Sequence, residues 1–321
     1  MRKALVVGIN EYPQSPLFGC CNDAESIAKL LKRNEDGSPN FEVRLEKNVK
    51  SKAKLKGMIR ECFSGDADVT LFYYAGHGYI DECGGYLVTP DYCENDEGIS
   101  LSDLLTIVNN SKCRDKIVIL DSCYSGAFGS HSDDSTKAVI REGVTILTAC
   151  RSNESSTEYE GHGLFTSLLV DGLSGGAADI TGNITPGGLY SYIDKSLGAW
   201  AQRPVFKTNV TRFTSIRNVR PQVELSVIRQ LCKFFRRPDE EFALNPSFEP
   251  TNSPTVEHKI IEPYASEDEV KVFRDLQKLE SVGLIVPKGA DHMYFAAMNS
   301  KSCVLTPLGK VYWGFVKKEM I

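Results

Sequence analysis

Two stretches decide how this chain is read: VTLFYYAGHG at residues 69–78 and KIVILDSC at 116–123. Each is a nearly unbroken run of β-branched, aliphatic and aromatic residues, the pattern of a strand buried on both faces of a parallel sheet. Each also ends in residues that carry chemistry, an imidazole at His77 and a thiol at Cys123. KALVVGIN (3–10), FEVRLEKN (41–48) and VTILTAC (144–150) read as further strands, and RPVFKT (203–208) as the last. Between them lie segments with apolar residues at three-to-four spacing: 22–34, 51–63, 100–110, 163–173 and 188–200. Asn22 and Asp23 are placed to cap the first of these helices. Strands alternating with helices specify an α/β fold, a mostly parallel sheet with helices on both faces and right-handed crossovers.

The chain has 321 residues, more than one core usually organises, so two domains are expected. The α/β domain spans 1–220. Residues 221–321 form a second, smaller domain, with a linker at about 236–260 where Pro, Asn and charge are dense and no period survives. There, 266–286 reads as an amphipathic helix with a Ser N-cap, acidic first turn and Gly283 as its stop. A hairpin turning at Asn299–Lys301 follows, then a last helix with Val311, Tyr312 and Phe315 inward.

Lys and Arg number 37 against 42 Asp and Glu, a net charge of −5, and hydrophobic residues make up 41%. That balance offers no general attraction to phosphate backbones or anionic lipid. No apolar run approaches the roughly 20 residues of a bilayer span, so no membrane partner is expected. The apolar stretch in MRKALVVGIN is too short for a signal peptide, which gives a cytoplasmic expectation. Ten cysteines and five histidines show no metal-ligand spacing, so reduced, mostly buried thiols are expected and no metal chemistry through His and Cys.

The separation of His77 and Cys123 is 46 residues. A thiol is mostly protonated at neutral pH and needs an adjacent imidazole to become a nucleophile. In open α/β sheets ligands sit beyond the carboxyl ends of the strands, where YAGHG, LDSCYSG and LTACRS all fall. The backbone N–H groups of Gly78 and Cys123 are candidates for an oxyanion hole.

GHG, DSCYSG and NDA in the first helix together resemble the caspase fold of cysteine proteases, and most closely the short prokaryotic metacaspases, over about residues 1–210. The local sequence departs from the QAC[RQG]G signature of caspases themselves, although a His about 50 residues upstream is shared. The resemblance implies His77 as base, Cys123 as nucleophile, Gly78 and Cys123 as oxyanion donors, and Asp23 with Asp121 in a pocket that selects Arg or Lys. Two carboxylates at a pocket floor suit a guanidinium or ammonium, because pairing offsets its desolvation. A protein substrate with a basic residue before the scissile bond is therefore the expected partner.

Self-cleavage after Lys137 or Arg141, in the segment 126–143, is consistent with that pocket. The resemblance also raises calcium as an activator. Asp91, Asp96, Glu97 and Asp103 supply carboxylates, yet ISLSDLL lacks the adjacent Asp pair of calcium-responsive members. No cofactor is required on this reading, and Asp91 and Asp103 stand as weak calcium candidates. Tyr159, His162 and Ser156 border a loop suited to shaping subsites, and Cys20, Cys21 and Cys150 fall near the same edge.

The C-terminal hundred residues resemble a winged-helix module. They carry 13 Lys and Arg against 14 Asp and Glu, without the basic face that DNA contacts require. A protein-binding, regulatory role is preferred over nucleic acid, possible biological settings being defence or cell death. Competing readings are a catalytically latent scaffold and a DNA-linked sensor; the intact His and Cys speak against the scaffold.

Overall fold

The computed structural model describes every residue except 95, 123–129, 132–133, 150–157, 160–161, 198–202, 213 and 254–259; for 130–131, 134–138, 158–159 and 162 it describes the backbone alone. The chain forms two compact units, Met1–Arg220 and Pro221–Ile321.

In the first unit, β1 (Arg2–Gly8), α1 (Cys20–Lys32), β2 (Glu42–Lys47), α2 (Lys52–Cys62) and β3 (Val69–Ala75) alternate as the sequence predicts. Three antiparallel strands follow, β4 (Gly78–Asp81), β5 (Gly84–Cys93) and β6 (Asp96–Ser100), then α3 (Leu101–Asn110) and β7 (Asp115–Asp121). Next come the paired β8 (Ser130–His131) and β9 (Asp134–Ala138), β10 (Val144–Thr148), and the paired β11 (Glu158–Tyr159) and β12 (His162–Gly163). The unit closes with α4 (Leu164–Asp171), β13 (Asn183–Ile184), α5 (Pro186–Ser196), β14 (Val205–Asn209) and β15 (Arg217–Asn218).

The main sheet has the order β14-β10-β7-β3-β1-β2, parallel except for β14 at one edge. Period-two alternation explains the continuous apolar runs. Ala4, Val6, Leu71, Tyr73, Ile117 and Ile119 pack with Ala24, Ile27, Phe165, Leu169 and Ile193 of α1, α4 and α5. The intervening Leu5, Val7, Phe72, Tyr74, Val118 and Leu120 pack with Leu55, Ile59, Leu104 and Val108 of α2 and α3. Ser51 and Ser100 cap α2 and α3 through their side chains, accepting from the N–H groups of Lys54 and Asp103.

The first helix departs from expectation. It starts at Cys20 with Gly19 at its N-cap, so Asn22 and Asp23 lie inside the first turn. The cap is supplied from a distance: Asn10 Oδ1 accepts from the N–H of Cys21 at 3.1 Å. Gly8 lets this turn approach, since a Cβ there would lie 2.2 Å from the Cys20 carbonyl oxygen. Gly8→Ala is expected to cost about 2 kcal/mol or more by forcing α1 off the sheet, read as a lowered urea midpoint at unchanged slope.

The second unit contains α6 (Leu225–Ile228), α7 (Leu231–Phe234), β16 (Glu241–Ala243), a 3₁₀ turn at Pro246–Phe248, α8 (Glu267–Ser281), β17 (Ile285–Lys288), α9 (Met293–Met298), β18 (Ser302–Leu305) and α10 (Pro307–Lys317). Its antiparallel sheet runs β16-β18-β17. The expected linker at 236–260 is instead largely part of this unit's core. Phe242 and Phe248 join a run of ring contacts from Phe235 to Phe273. Asn245 caps the 3₁₀ turn, and the fully buried Asn252 donates to the carbonyls of Pro246, Ile261 and Pro263. The dense Pro and Asn therefore make a hydrogen-bonded knot.

The expected hairpin at 299–301 is also corrected. Met293–Met298 is helical, and β18 pairs with β17 across that helix. On α10, Val311 is 50% exposed rather than inward, while Tyr312 and Phe315 are half-buried and touch each other. Trp313 instead turns toward α7, donating to the Phe235 carbonyl at 2.7 Å.

Candidate active site

The carboxyl ends of β1, β3 and β7 lie level, because Gly8 pairs with Ala75 and Ala75 with Asp121. The chain leaves β3 through Gly76, whose N–H donates to the Asp121 carbonyl at 3.3 Å. A Cβ on Gly76 would lie 2.6 Å from the hydroxyls of both Tyr12 and Tyr74, so only glycine fits beneath them. These phenols fix the next residue. The His77 N–H donates to the Tyr12 hydroxyl at 3.0 Å, and the Tyr74 hydroxyl proton is shared between the carbonyls of Val88 at 2.8 Å and His77 at 3.1 Å. The His77 carbonyl also accepts from the Val88 N–H at 3.0 Å. Burial pushes both tyrosines well above the ordinary phenol range, so they keep their protons.

The half-buried His77 ring meets the edge of Tyr12 at 4.5 Å between centroids. Its Nε2 lies 2.7 Å from the Ser15 carbonyl oxygen. A carbonyl only accepts, so Nε2 carries the hydrogen and Nδ1 is the basic nitrogen of the neutral ring. Gly78 opens β4 opposite Leu87. Cys123, expected as nucleophile and second oxyanion donor, lies outside the described residues, as do Cys150 and Ser156 and the side chains of Lys137, Tyr159 and His162.

Asp23 and Asp121 come together at the start of α4. They are 2% and 6% exposed. The N–H of Gly163, the N-cap of α4, donates to Asp23 Oδ2 at 3.1 Å. A Cβ on Gly163 would lie 2.5 Å from Asp121 Oδ2, so one residue touches both acids. Thr166 Oγ1 donates to Asp121 Oδ2 at 2.6 Å. The positive end of α4 favours negative charge at this position. Tyr73, 2.6 Å from Thr166 through its hydroxyl, has its pKa raised by burial and then by the charges of Asp121 and Asp23.

Other expected residues are engaged elsewhere. Asp91 accepts from the Lys52 N–H at the start of α2, Asp96 pairs with the Lys52 ammonium, and Asp103 pairs with Lys56 at 2.5 Å. Among the described residues no three His, Cys, Asp or Glu side chains converge on a metal position. Arg141 is exposed and tied to the end of α3, bonding Asn109 and Asn110. Cys20 is buried, and Cys21 is held as a thiol by burial, its Sγ near the Gly8 carbonyl and Asn48 Oδ1. Cys83 and Cys93 are exposed rather than buried.

Tyr12, Ser15, Tyr73, Tyr74, Gly163 and Thr166 were not singled out by their sequence positions. The run FYYAGHG and the tripeptide LFT offered the only local signals, aromatic and hydroxyl groups beside the loaded turns.

The model of the caspase domain family matches residues 1–209. The chain belongs to the caspase family. It is a family of cysteine proteases, which act on protein substrates. In structure the chain is similar to caspase-1 from Spodoptera frugiperda, with a TM-score of 0.50 and 15% identity over 69% of this chain and 91% of that one. It is also similar to the protein GSU0716 from Geobacter sulfurreducens, with a TM-score of 0.49 and 20% identity over 68% of this chain and 97% of that one. At its low identity, the caspase-1 match shows the fold alone. No curated protein matches the chain. Among the described residues no helix is long and apolar enough to cross a membrane.

Proposed function

We propose that this caspase-family chain is a cysteine endopeptidase of the metacaspase type, cutting proteins after Arg or Lys. The observation that carries the reading is the meeting of two buried carboxylates, Asp23 and Asp121, on Gly163 beside the strand end that bears His77. A buried pair of acids rewards a cationic side chain and rejects an acidic one.

In the proposed reaction His77 Nδ1 takes the proton of Cys123, and the thiolate sulfur bonds to the scissile carbonyl carbon. The carbonyl oxygen becomes an oxyanion facing the N–H groups of Gly78 and Cys123. The carbon–nitrogen bond then breaks, the imidazolium gives its proton to the leaving amine, and a thioester remains. Water, deprotonated by His77, attacks the thioester; the carbon–sulfur bond breaks, the Cys123 sulfur takes the proton back from His77, and the acid product departs. Throughout, the Nε2–H bond to Ser15 orients the ring.

The same specificity makes Lys137 and Arg141 the proposed self-cleavage points; the contacts of Arg141 with α3 must be released before a cut there. We assign the second unit a winged-helix-like, regulatory role. Its sheet order, with the first strand beside the last, supports the likeness, and α9 replaces a simple wing. A protein partner fits it better than DNA, given 13 basic against 14 acidic residues. A cytoplasmic setting suits a reduced thiol nucleophile, and a defence or cell-death effector is the role this architecture fits.

The test is hydrolysis of fluorogenic peptides ending in Arg, Lys or Asp by the full chain, beside Cys123→Ala. Turnover after Arg or Lys that vanishes in the variant is expected. Preference for Asp would overturn the acidic pocket, and activity surviving in Cys123→Ala would overturn the nucleophile. Mass spectrometry of the two proteins then reads self-cleavage, with identical intact masses, apart from the substitution, ending that part.

A further inference from the structure

We propose that Thr166 and Tyr73 are positioning residues for substrate binding: a hydroxyl relay, Tyr73 to Thr166 to Asp121, holds the Asp121 carboxylate in the orientation that receives a basic side chain. The inference rests on the basic specificity proposed above and adds what makes one of its two acids usable.

The direction of the relay follows from proton counting. Thr166 has one hydroxyl proton, and it points to Asp121 Oδ2 at 2.6 Å. Tyr73 Oη is also 2.6 Å from Thr166 Oγ1, so the phenol is the donor in that bond. All three side chains are buried, where each hydrogen bond is costly to lose. Burial and the neighbouring carboxylates keep Tyr73 protonated and therefore able to donate. The relay grips one oxygen of Asp121. Gly163 lies against the same oxygen, and its N–H holds Asp23. The start of α4 thus supplies both restraints, Gly163 to one acid and Thr166 to the other, one turn apart on a single rigid helix.

The sheet explains why Tyr73 can reach this place. Tyr73 lies on the face packed by α1 and α4, whereas Tyr74 lies on the opposite face and holds the His77 turn. A role confined to Tyr73 and Thr166 therefore affects binding without moving the base.

The test uses the full chain with Cys123→Ala, titrated with benzamidine, an amidinium with no scissile bond. Asp121→Asn serves as the reference for a lost pocket acid. Thr166→Val is expected to weaken benzamidine about tenfold, Tyr73→Phe about threefold, and Thr166→Ser to bind like the parent. In the enzyme with Cys123 intact, Thr166→Val should raise KM for an Arg peptide about tenfold and leave kcat within about twofold. Equal affinity in Thr166→Val and the parent, or a fall in kcat at unchanged KM, overturns the relay while the basic pocket stands. If the parent itself ignores benzamidine and Asp121→Asn changes nothing, the basic pocket falls and the relay with it. Should Thr166→Val fail to fold, as judged by circular dichroism, Tyr73→Phe decides by the same criterion: unchanged affinity overturns the proposal.

Discussion

Replacing His77 with alanine is expected to lower kcat for an Arg peptide by about 10³-fold or more with little change in KM. The thiol then loses the base proposed for it, and the small thiolate fraction present at neutral pH must carry the attack. The expectation has an internal control. The ring is held by the Ser15 carbonyl rather than by a side chain, so Ser15→Ala should retain kcat within about twofold if the loop backbone is kept. Tyr12→Phe removes the acceptor of the His77 N–H and the hydroxyl above Gly76, so it should fall between the two. Single-turnover kinetics on the three variants measure the order. A His77→Ala protein as fast as the parent would remove the imidazole from the mechanism.

Asp121→Asn carries the second large effect. It keeps the shape of the side chain and its bond from Thr166 but removes the charge. Leaving a cation unpaired in a buried pocket costs about 3–5 kcal/mol, or about 10²- to 10⁴-fold in kcat/KM for Arg and Lys peptides. Neutral residues before the scissile bond should lose far less, so the ratio of the two substrates is the reading. Asp23→Asn should act in the same direction. Its carboxylate already accepts from Gly163, and an amide can keep that bond through its oxygen. A variant that loses Arg and neutral peptides equally would show that Asp121 supports the fold of the turn instead of choosing the substrate.

The sheet was legible because its central strands are buried on both faces, so KALVV, VTLFYY and KIVILD read as unbroken apolar runs. His77 stood out for the same reason, as a polar residue at the end of such a run. Ser15 did not, because the group that holds the imidazole is a carbonyl that every residue possesses. Gly163 and Thr166 read only as the start of a helix; their link to Asp23 and Asp121 depends on contacts across 140 and 45 residues. The strands β4 to β6 were missed because their pairing is set by glycines and local turns more than by apolar content. Gly98, at φ 143°, has no room for a Cβ against the Leu87 carbonyl oxygen. At 236–260 the same residue types that mark loops were used for caps and buried bonds, as at Asn245 and Asn252.

Tyr73 and Tyr74 are neighbours in sequence, yet one bonds Thr166 on the side of the sheet where we propose recognition, and the other braces the His77 turn from the opposite side. Alternation along β3 therefore insulates two inheritable traits. On the function proposed here, a lineage could retune the accepted cation by altering Thr166, Gly163 or the residues around Tyr73 without disturbing the His77 turn, and could alter that turn without erasing the choice of substrate.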